Sequence, residues 1–280
     1  MPAKPSVLKG DSAEVVSKGI IPEGKEDLIT NQMVIPIKGS ALYKNDLALL
    51  DILASNNWER PIYFNQTSLM NINLNLRDYV VQEGATFRLL PIDSRKQPSN
   101  SASLNTELDF TASRDMVNTE VMYDNMMNKF RWRELDNPNT YYTTEDYKDK
   151  AVSVHRSYLN NLAKGLIEEN KIEKAKEVLL KGLDTMPDKA VPFGIYNAES
   201  VSLLFQVGEN DRALEVSEIL SRRADQELSY LTRNGITNRD TYINLRILDV
   251  LRNTMKAMGQ TEEAQALEET FLQHYSTFQN

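Results

Sequence analysis

The stretch YLNNLAKGLIEENKIEKAKEVLLKGLDTMP, residues 158–187, decides the architecture of the C-terminal half of this chain. Leu159, Leu162, Ala163 and Leu166 recur at helical spacing and give a first helix one apolar face. Asn170 interrupts the pattern and tolerates the left-handed backbone that ends a helix. Ala175, Leu179 and Gly182 then line a second helix. Pro187 stops it, because proline lacks an N–H and collides with the preceding turn. Two antiparallel helices approach closely only where side chains are small, here Ala163, Ala175 and Gly182.

The same local signal returns twice. A turn-forming residue is followed five positions later by alanine at Asn170 to Ala175, Gly208 to Ala213 and Gly259 to Ala264. Leu204 and Leu251 stand where a first helix packs. The pattern resembles the tetratricopeptide repeat, closely in the first hairpin and loosely in the other two. Asp225 replaces the closing proline, and Ser217 and Glu268 replace large apolar residues. The alanine spacings of 38 and 51 exceed the roughly 34 residues of a regular array. The extra length falls in a helix from Asp211 to Thr232 and the Asn234-Gly235 turn. Such hairpins bury their faces only by stacking, so residues 146–280 are expected to form an all-α array of about three hairpins, ended by a helix from Glu262 to Phe278. A generic antiparallel bundle is the alternative.

Upstream the pattern changes. Residues 1–32 read as an irregular arm and residues 33–145 as a small α/β domain, so the fold class is α+β with a domain boundary near residue 145. Met33 to Ile37 and Thr86 to Leu90 read as strands. Arg60 to Phe64 is a third, with proline at its start where a missing N–H is tolerated. Asp46 to Ala54 reads as a helix with Asn45 as its N-cap. Leu76 to Glu83 reads as one or two helical turns closed by Gly84, and Asp93 to Thr106 as a loop. Ser113 would cap a helix running to Phe130, whose Val117, Val121, Met122, Met126 and Met127 fill a core.

Composition excludes several classes of function. The net charge of −8 is shared equally by residues 1–150 and 151–280, so no basic face favours nucleic acid. No cysteine is present and only two histidines, His155 and His274, for which capping or surface roles are expected. No metal site and no cofactor is expected, since phosphate-cradling loops, nucleophile elbows and zinc motifs are all missing. No apolar run reaches the 18 or so residues of a membrane span. The chain therefore reads as soluble, and its abrupt polar start reads as a piece of something longer. Asp51, Glu59, Asp78 and Glu83 supply carboxylates to the α/β part. The candidate binding residues are Asp51, Trp58, Glu59 and Arg60, where a helix passes through an Asn-rich turn into a strand. The structural reading of the same residues packs Trp58 under the turn and pairs Arg60 with a carboxylate such as Asp51.

That segment, Leu47 to Phe64, resembles a bacterial family, as do Tyr79-Val80-Val81-Gln82-Glu83-Gly84 with Phe87-Arg88-Leu89-Leu90-Pro91, and Met122 to Met127 with Phe130-Arg131-Trp132. It looks like the C-terminal region of multi-spanning membrane proteins related to protein O-mannosyltransferases. The resemblance covers roughly residues 40–280, and Trp58-Glu59-Arg60-Pro61-Ile62-Tyr63-Phe64 is its most specific part. It implies a non-catalytic accessory domain on the periplasmic face of a bacterial inner membrane. Such a domain would be attached to a membrane-spanning region and would bind an acceptor protein, a glycan or a partner subunit. The family's catalytic acid lies between membrane helices, so no catalytic residue carries over. A free-standing tetratricopeptide adaptor is the alternative, and an enzyme with its site between the two domains a third reading.

Overall fold

The computed structural model describes residues 6–9, 15–16, 18–22, 24–96, 116–142 and 151–278. The backbone divides into two compact units, Met1–Asn128 and Lys129–Asn280. The boundary expected near residue 145 lies outside the described residues.

The first unit is built on two sheets. Strands β1 (Ser6–Lys9) and β2 (Gln32–Ile35) form an antiparallel ribbon with Val7 opposite Val34; β1 falls within the stretch read as an irregular arm. The second sheet is mixed. It contains β3 (Tyr63–Asn65), β4 (Val80–Gln82), β5 (Thr86–Leu89) and β6 (Met116–Val117), in the order β3-β5-β4-β6. Only β4 and β6 run parallel. Side chains alternate across a strand, so this sheet has an apolar cluster on each face. Phe64, Phe87, Leu89 and Val80 join Met33, Ile35, Leu74 and Tyr79 on one side. Val81 and Met116 join Leu28, Leu90 and Ile92 on the other.

Two sequence expectations are corrected here. Residues 76–83 are not helical beyond one 3-10 turn, Arg77–Tyr79, which leads directly into β4. Val80 and Val81 are fully buried, one toward each cluster, and β-branched residues buried on both faces suit a strand. Helix α1 (Lys44–Ser55) is capped at Tyr43 rather than Asn45. Asp46, in the first turn, accepts from the Tyr43 N–H at 2.8 Å, which places the cap one turn before the carboxylate. Helix α2 (Gln66–Asn71) follows β3, with Asn65 accepting from the Ser68 N–H at 2.7 Å.

Tyr79 joins the two sheets. Its buried hydroxyl donates to the Val34 carbonyl and accepts from the Val34 N–H, both at 2.9 Å. Further along, Lys38 N–H donates to the Asn73 carbonyl and Asn75 N–H to the Pro36 carbonyl. Helix α3 (Thr119–Tyr123) is capped by Asn118 and continues as a π-helical turn, Asp124–Lys129. Ser113, the expected cap, lies outside the described residues. Met122 and Met126 are fully buried, in keeping with core filling, but Val117 belongs to β6 and not to the helix, and Val121 is exposed.

Among the described residues the regular elements of the second unit are all helices. It contains α4 (Val154–Glu168), α5 (Ile172–Thr185), α6 (Ile195–Gln206), α7 (Asn210–Arg233), α8 (Arg239–Ala257) and α9 (Thr261–Phe278). Consecutive helices pair as α4–α5, α6–α7 and α8–α9, while α4, α6 and α8 pack on one another in succession. Leu159, Leu162, Ala163, Leu166, Ala175 and Leu179 are buried. Asn170, Gly208 and Gly259 all adopt positive φ, at 58°, 82° and 73°, as the helix-ending turns require. The long α7 carries its extra turns on buried Ala224, Leu228 and Leu231.

Candidate functional site

The α1–β3 connection is built under strain. Asn57 and Trp58 both adopt left-handed backbone, at φ 45° and 58°, a conformation costing about 1–2 kcal/mol per non-glycine residue. A closed local loop holds it: Glu59 N–H donates to the Asn56 carbonyl at 2.9 Å, and Asn56 Nδ2 donates to the Arg60 carbonyl at 2.7 Å. Trp58 is half-buried and packs, with Leu49, Leu50, Leu53 and Ile62, against the cluster around Phe64 and Leu74. Asp51, Glu59 and Arg60 are exposed. Among the described residues no ion pair joins Arg60 to Asp51, so the segment is held by backbone geometry and the indole.

The other end of α1 is anchored by charge. Asp46 is completely buried. Its Oδ2 accepts from Tyr43 N–H and Asn73 Nδ2, and its Oδ1 from Asn73 N–H at 3.1 Å. Burial alone would raise its pKa, but these hydrogen bonds to the charged form outweigh it and hold the carboxyl below the ordinary value of 3.8. The outward side of the helix keeps Leu47 and Ile52 exposed at 54% and 51%.

The four carboxylates noted in the sequence separate. Asp78 lies 3.6 Å from Arg95, which also makes a two-pronged contact with Asp93. Glu83 is the buried one, 4% exposed, at the turn between β4 and β5. Its Oε2 accepts from the Tyr63 hydroxyl at 2.7 Å, and its Oε1 from Asn118 Nδ2 at 3.1 Å. Its backbone carbonyl accepts from Asn125 Nδ2 at 2.8 Å. Arg88 Nη1 lies 3.6 Å from Oε1, beyond hydrogen-bonding range. Burial, then the hydrogen bond to Glu83, pushes the Tyr63 phenol up. The residues of this corner are 20 to 42 positions apart from Glu83 except Arg88, so no local motif announces them.

In the helical unit the polar groups mainly fix loops. Arg156, on α4, is buried and donates to the carbonyls of Met186, Val191 and Pro192 at 2.5–2.8 Å, with its guanidinium over the Phe193 ring. Asp188 accepts two hydrogen bonds from Arg223 and one from Phe193 N–H. These two arginines pin the α5–α6 connection. On the α4–α6 contact, Asn160 donates to the Tyr196 carbonyl and accepts from Ser200, and Lys164 pairs with Glu199. His155 sits at the start of α4, with Nδ1 3.0 Å from the Val152 carbonyl and its ring edge-on to Trp132 and Tyr158. His274 corrects the surface expectation. It is 3% exposed, and its Nε2 lies 2.7 Å from Asp225 Oδ1, tying α9 to α7. The residue standing in place of the closing proline thus holds a second helix.

Among the described residues no group of three or more potential ligands is placed to hold a metal ion, and no helix is long and apolar enough to cross a membrane. Residues 1–110 match the family model described as TMEM260-associated domain 2. No curated protein and no solved structure matches the chain.

Proposed function

We propose that this chain is a non-catalytic accessory region of a glycosyltransferase-like membrane protein, related to protein O-mannosyltransferases, which binds an acceptor protein, a glycan or a partner subunit. The observation that carries this reading is the match over residues 1–110, which contains the strained Asn57-Trp58 turn and the strand after it. In this reading the helical unit is a short, irregular tetratricopeptide-like scaffold. Its first helices α4, α6 and α8 follow one another, as stacking of hairpins demands. Its place is the extracytoplasmic, periplasmic face of a bacterial inner membrane, joined to a membrane-spanning region.

The test uses membrane vesicles holding the full-length protein and a version lacking this chain, assayed for sugar transfer to a protein acceptor and to a short peptide. The expected result is transfer to the peptide by both and to the protein only by the intact form. The purified chain alone is expected to transfer nothing. Sugar transfer by the chain alone, or a gene with no upstream run of hydrophobic helices, would overturn the proposal; the latter would favour a free-standing adaptor.

A further inference from the structure

Helix α1 is apolar on two sides, and the described residues cover one of them. Leu49, Leu50 and Leu53 pack against the core of the first unit. Lys44, Leu47, Ala48, Asp51, Ile52 and Ser55 stay exposed, at the three-and-four spacing that aligns them in one stripe. Tyr43, at the cap, lies one turn before Leu47. Tyr43, Leu47 and Ile52 are the most exposed large apolar side chains among the described residues of the first unit, at 63%, 54% and 51%. Single exposed apolar residues are ordinary, but a contiguous set rimmed by charge marks an interaction surface. The charges on the stripe are equally unspent. Lys44 and Asp51 stand two turns apart, and among the described residues neither has an ion-pair partner. Lys44 occupies the first helical position, where the helix dipole disfavours a cation.

We infer that the outer face of α1 pairs with the same face of a second copy of this chain, helix antiparallel to helix about a twofold axis. In that register Lys44 meets the partner's Asp51, Leu47 meets the partner's Ala48, and Tyr43 meets the partner's Ile52. Each contact recurs on the other side of the axis, as a twofold interface demands. A large side chain faces a small one at Leu47 and Ala48, which lets the helices approach. Parallel pairing would set Lys44 beside its own copy and Asp51 beside its own, a like-charge conflict that selects the antiparallel arrangement. A membrane surface fits the stripe poorly. Helices that lie on bilayers are rich in Lys and Arg, whereas this stripe has one cation, Asp51 in its midst and a chain of net charge −8 behind it. The 12 residues of α1 span about 18 Å, so the contact falls below the roughly 1,200 Å² buried in a stable complex. The dimer is therefore weak and reversible, and it closes at two copies because one partner uses up the face. This pairing is independent of the accessory role proposed above.

The experiment is sedimentation equilibrium of the full chain at low ionic strength, from about 10 µM to about 1 mM, the range of weak association. A mass that rises with concentration and levels at two chains is expected, with concentration-dependent NMR shifts of the Leu47, Ala48 and Ile52 amides. Leu47→Gln combined with Ile52→Gln should weaken pairing about tenfold or more by removing the apolar contact. Both side chains are exposed, so the fold should be untouched. Lys44→Glu and Asp51→Lys should each weaken pairing about tenfold, because each sets like charges together at both ion-pair contacts. Mixing the Lys44→Glu chain with the Asp51→Lys chain opposes unlike charges at both contacts, and should restore a mixed dimer. Both substitutions in one chain should restore pairing as well. A one-chain mass throughout the range overturns the proposal, and so do concentration-dependent shifts confined to another element. A mixture that pairs no better than the two single variants apart also overturns it. So does binding of the chain to vesicles of phosphatidylethanolamine and phosphatidylglycerol, lost with Leu47→Gln and Ile52→Gln, in place of a dimer.

Discussion

Gly182 tests whether α4 and α5 approach as closely as their small residues permit. A Cβ at this position would lie 3.1 Å from Leu159 Cδ1 and 3.9 Å from Leu159 Cβ. Leu159 is 2% exposed, so its tip can shift by a few tenths of an ångström but cannot swing into solvent. In Gly182→Ala this crowding is set against a gain of about 1 kcal/mol from removing glycine from a helix interior. The two nearly cancel, and stability should stay within about 0.5 kcal/mol of wild type. Gly182→Leu pushes three more carbons into the same gap and should cost about 1–3 kcal/mol. Leu159→Ala empties the gap from the other side and should cost about 2–5 kcal/mol. In the double variant the new leucine occupies the space vacated by the old one, so the loss should fall short of the sum by about 1 kcal/mol or more. Urea unfolding of the full chain, followed by far-ultraviolet circular dichroism, supplies the free energies. The two units can unfold separately, so Trp132 fluorescence in a Trp58→Phe background serves as a second probe from the helical unit. Additivity within about 0.3 kcal/mol would mean that residues 159 and 182 do not share a space, and the packing argument for this hairpin would fail.

Other perturbations reach the remaining anchors. Arg156→Met leaves the carbonyls of Met186, Val191 and Pro192 without their donor and should cost about 3 kcal/mol or more. Arg156→Lys should recover only part of the thermal stability, because one ammonium lacks the guanidinium's fork. Asp46 has its folded pKa below 3.8, so its contribution is present above that unfolded value and is lost as pH falls through the lower folded one. Asp46→Asn should cost about 2 kcal/mol at neutral pH, since both carboxylate oxygens accept N–H groups and an amide would turn a donor toward one of them. It should also flatten the acid limb of the stability curve below about pH 4; an unchanged limb would refute the assignment. Trp58→Ala should cost roughly 2 kcal/mol through lost burial, less than a fully buried indole would. Trp58→Gly should be the milder change by about 1 kcal/mol, because glycine relieves the left-handed strain that alanine keeps. The opposite order in a thermal melt would show that the turn is unstrained.

The helices were legible because their signals are local and repeated. Asn170, Gly208 and Gly259 announce the turns, and Leu204 and Leu251 announce buried faces. The end of the long α7 at Arg233 follows from the Asn234-Gly235 turn. In the first unit the strands are two to four residues long, too short for a period to establish itself, and so residues 76–83 read as helical turns. The anchoring groups were illegible for another reason. Arg156 reaches carbonyls 30 to 36 residues away, and Glu83 meets Tyr63, Asn118 and Asn125 only after the sheet has formed. At 26% charged residues nothing in the sequence distinguishes Asp46 and Glu83, which are buried, from Asp51 and Glu59, which are exposed. The Trp58 segment stood out as unusual, and the structure gives that a physical cause in its two consecutive left-handed residues.

The paired hydrogen bonds between the Tyr79 hydroxyl and Val34 also govern how this protein behaves in a crowd of its own copies. β2 has β1 along one edge, and its other edge would present a ladder of bare N–H and C=O groups to any passing strand. A single phenolic oxygen answers both groups of Val34, and Asn73 and Asn75 engage the residues just beyond. That edge of β2 therefore gives a foreign strand no template to extend. Tyr79→Phe would keep the ring in its core and uncover that edge, turning a well-folded protein into one prone to self-association at high concentration.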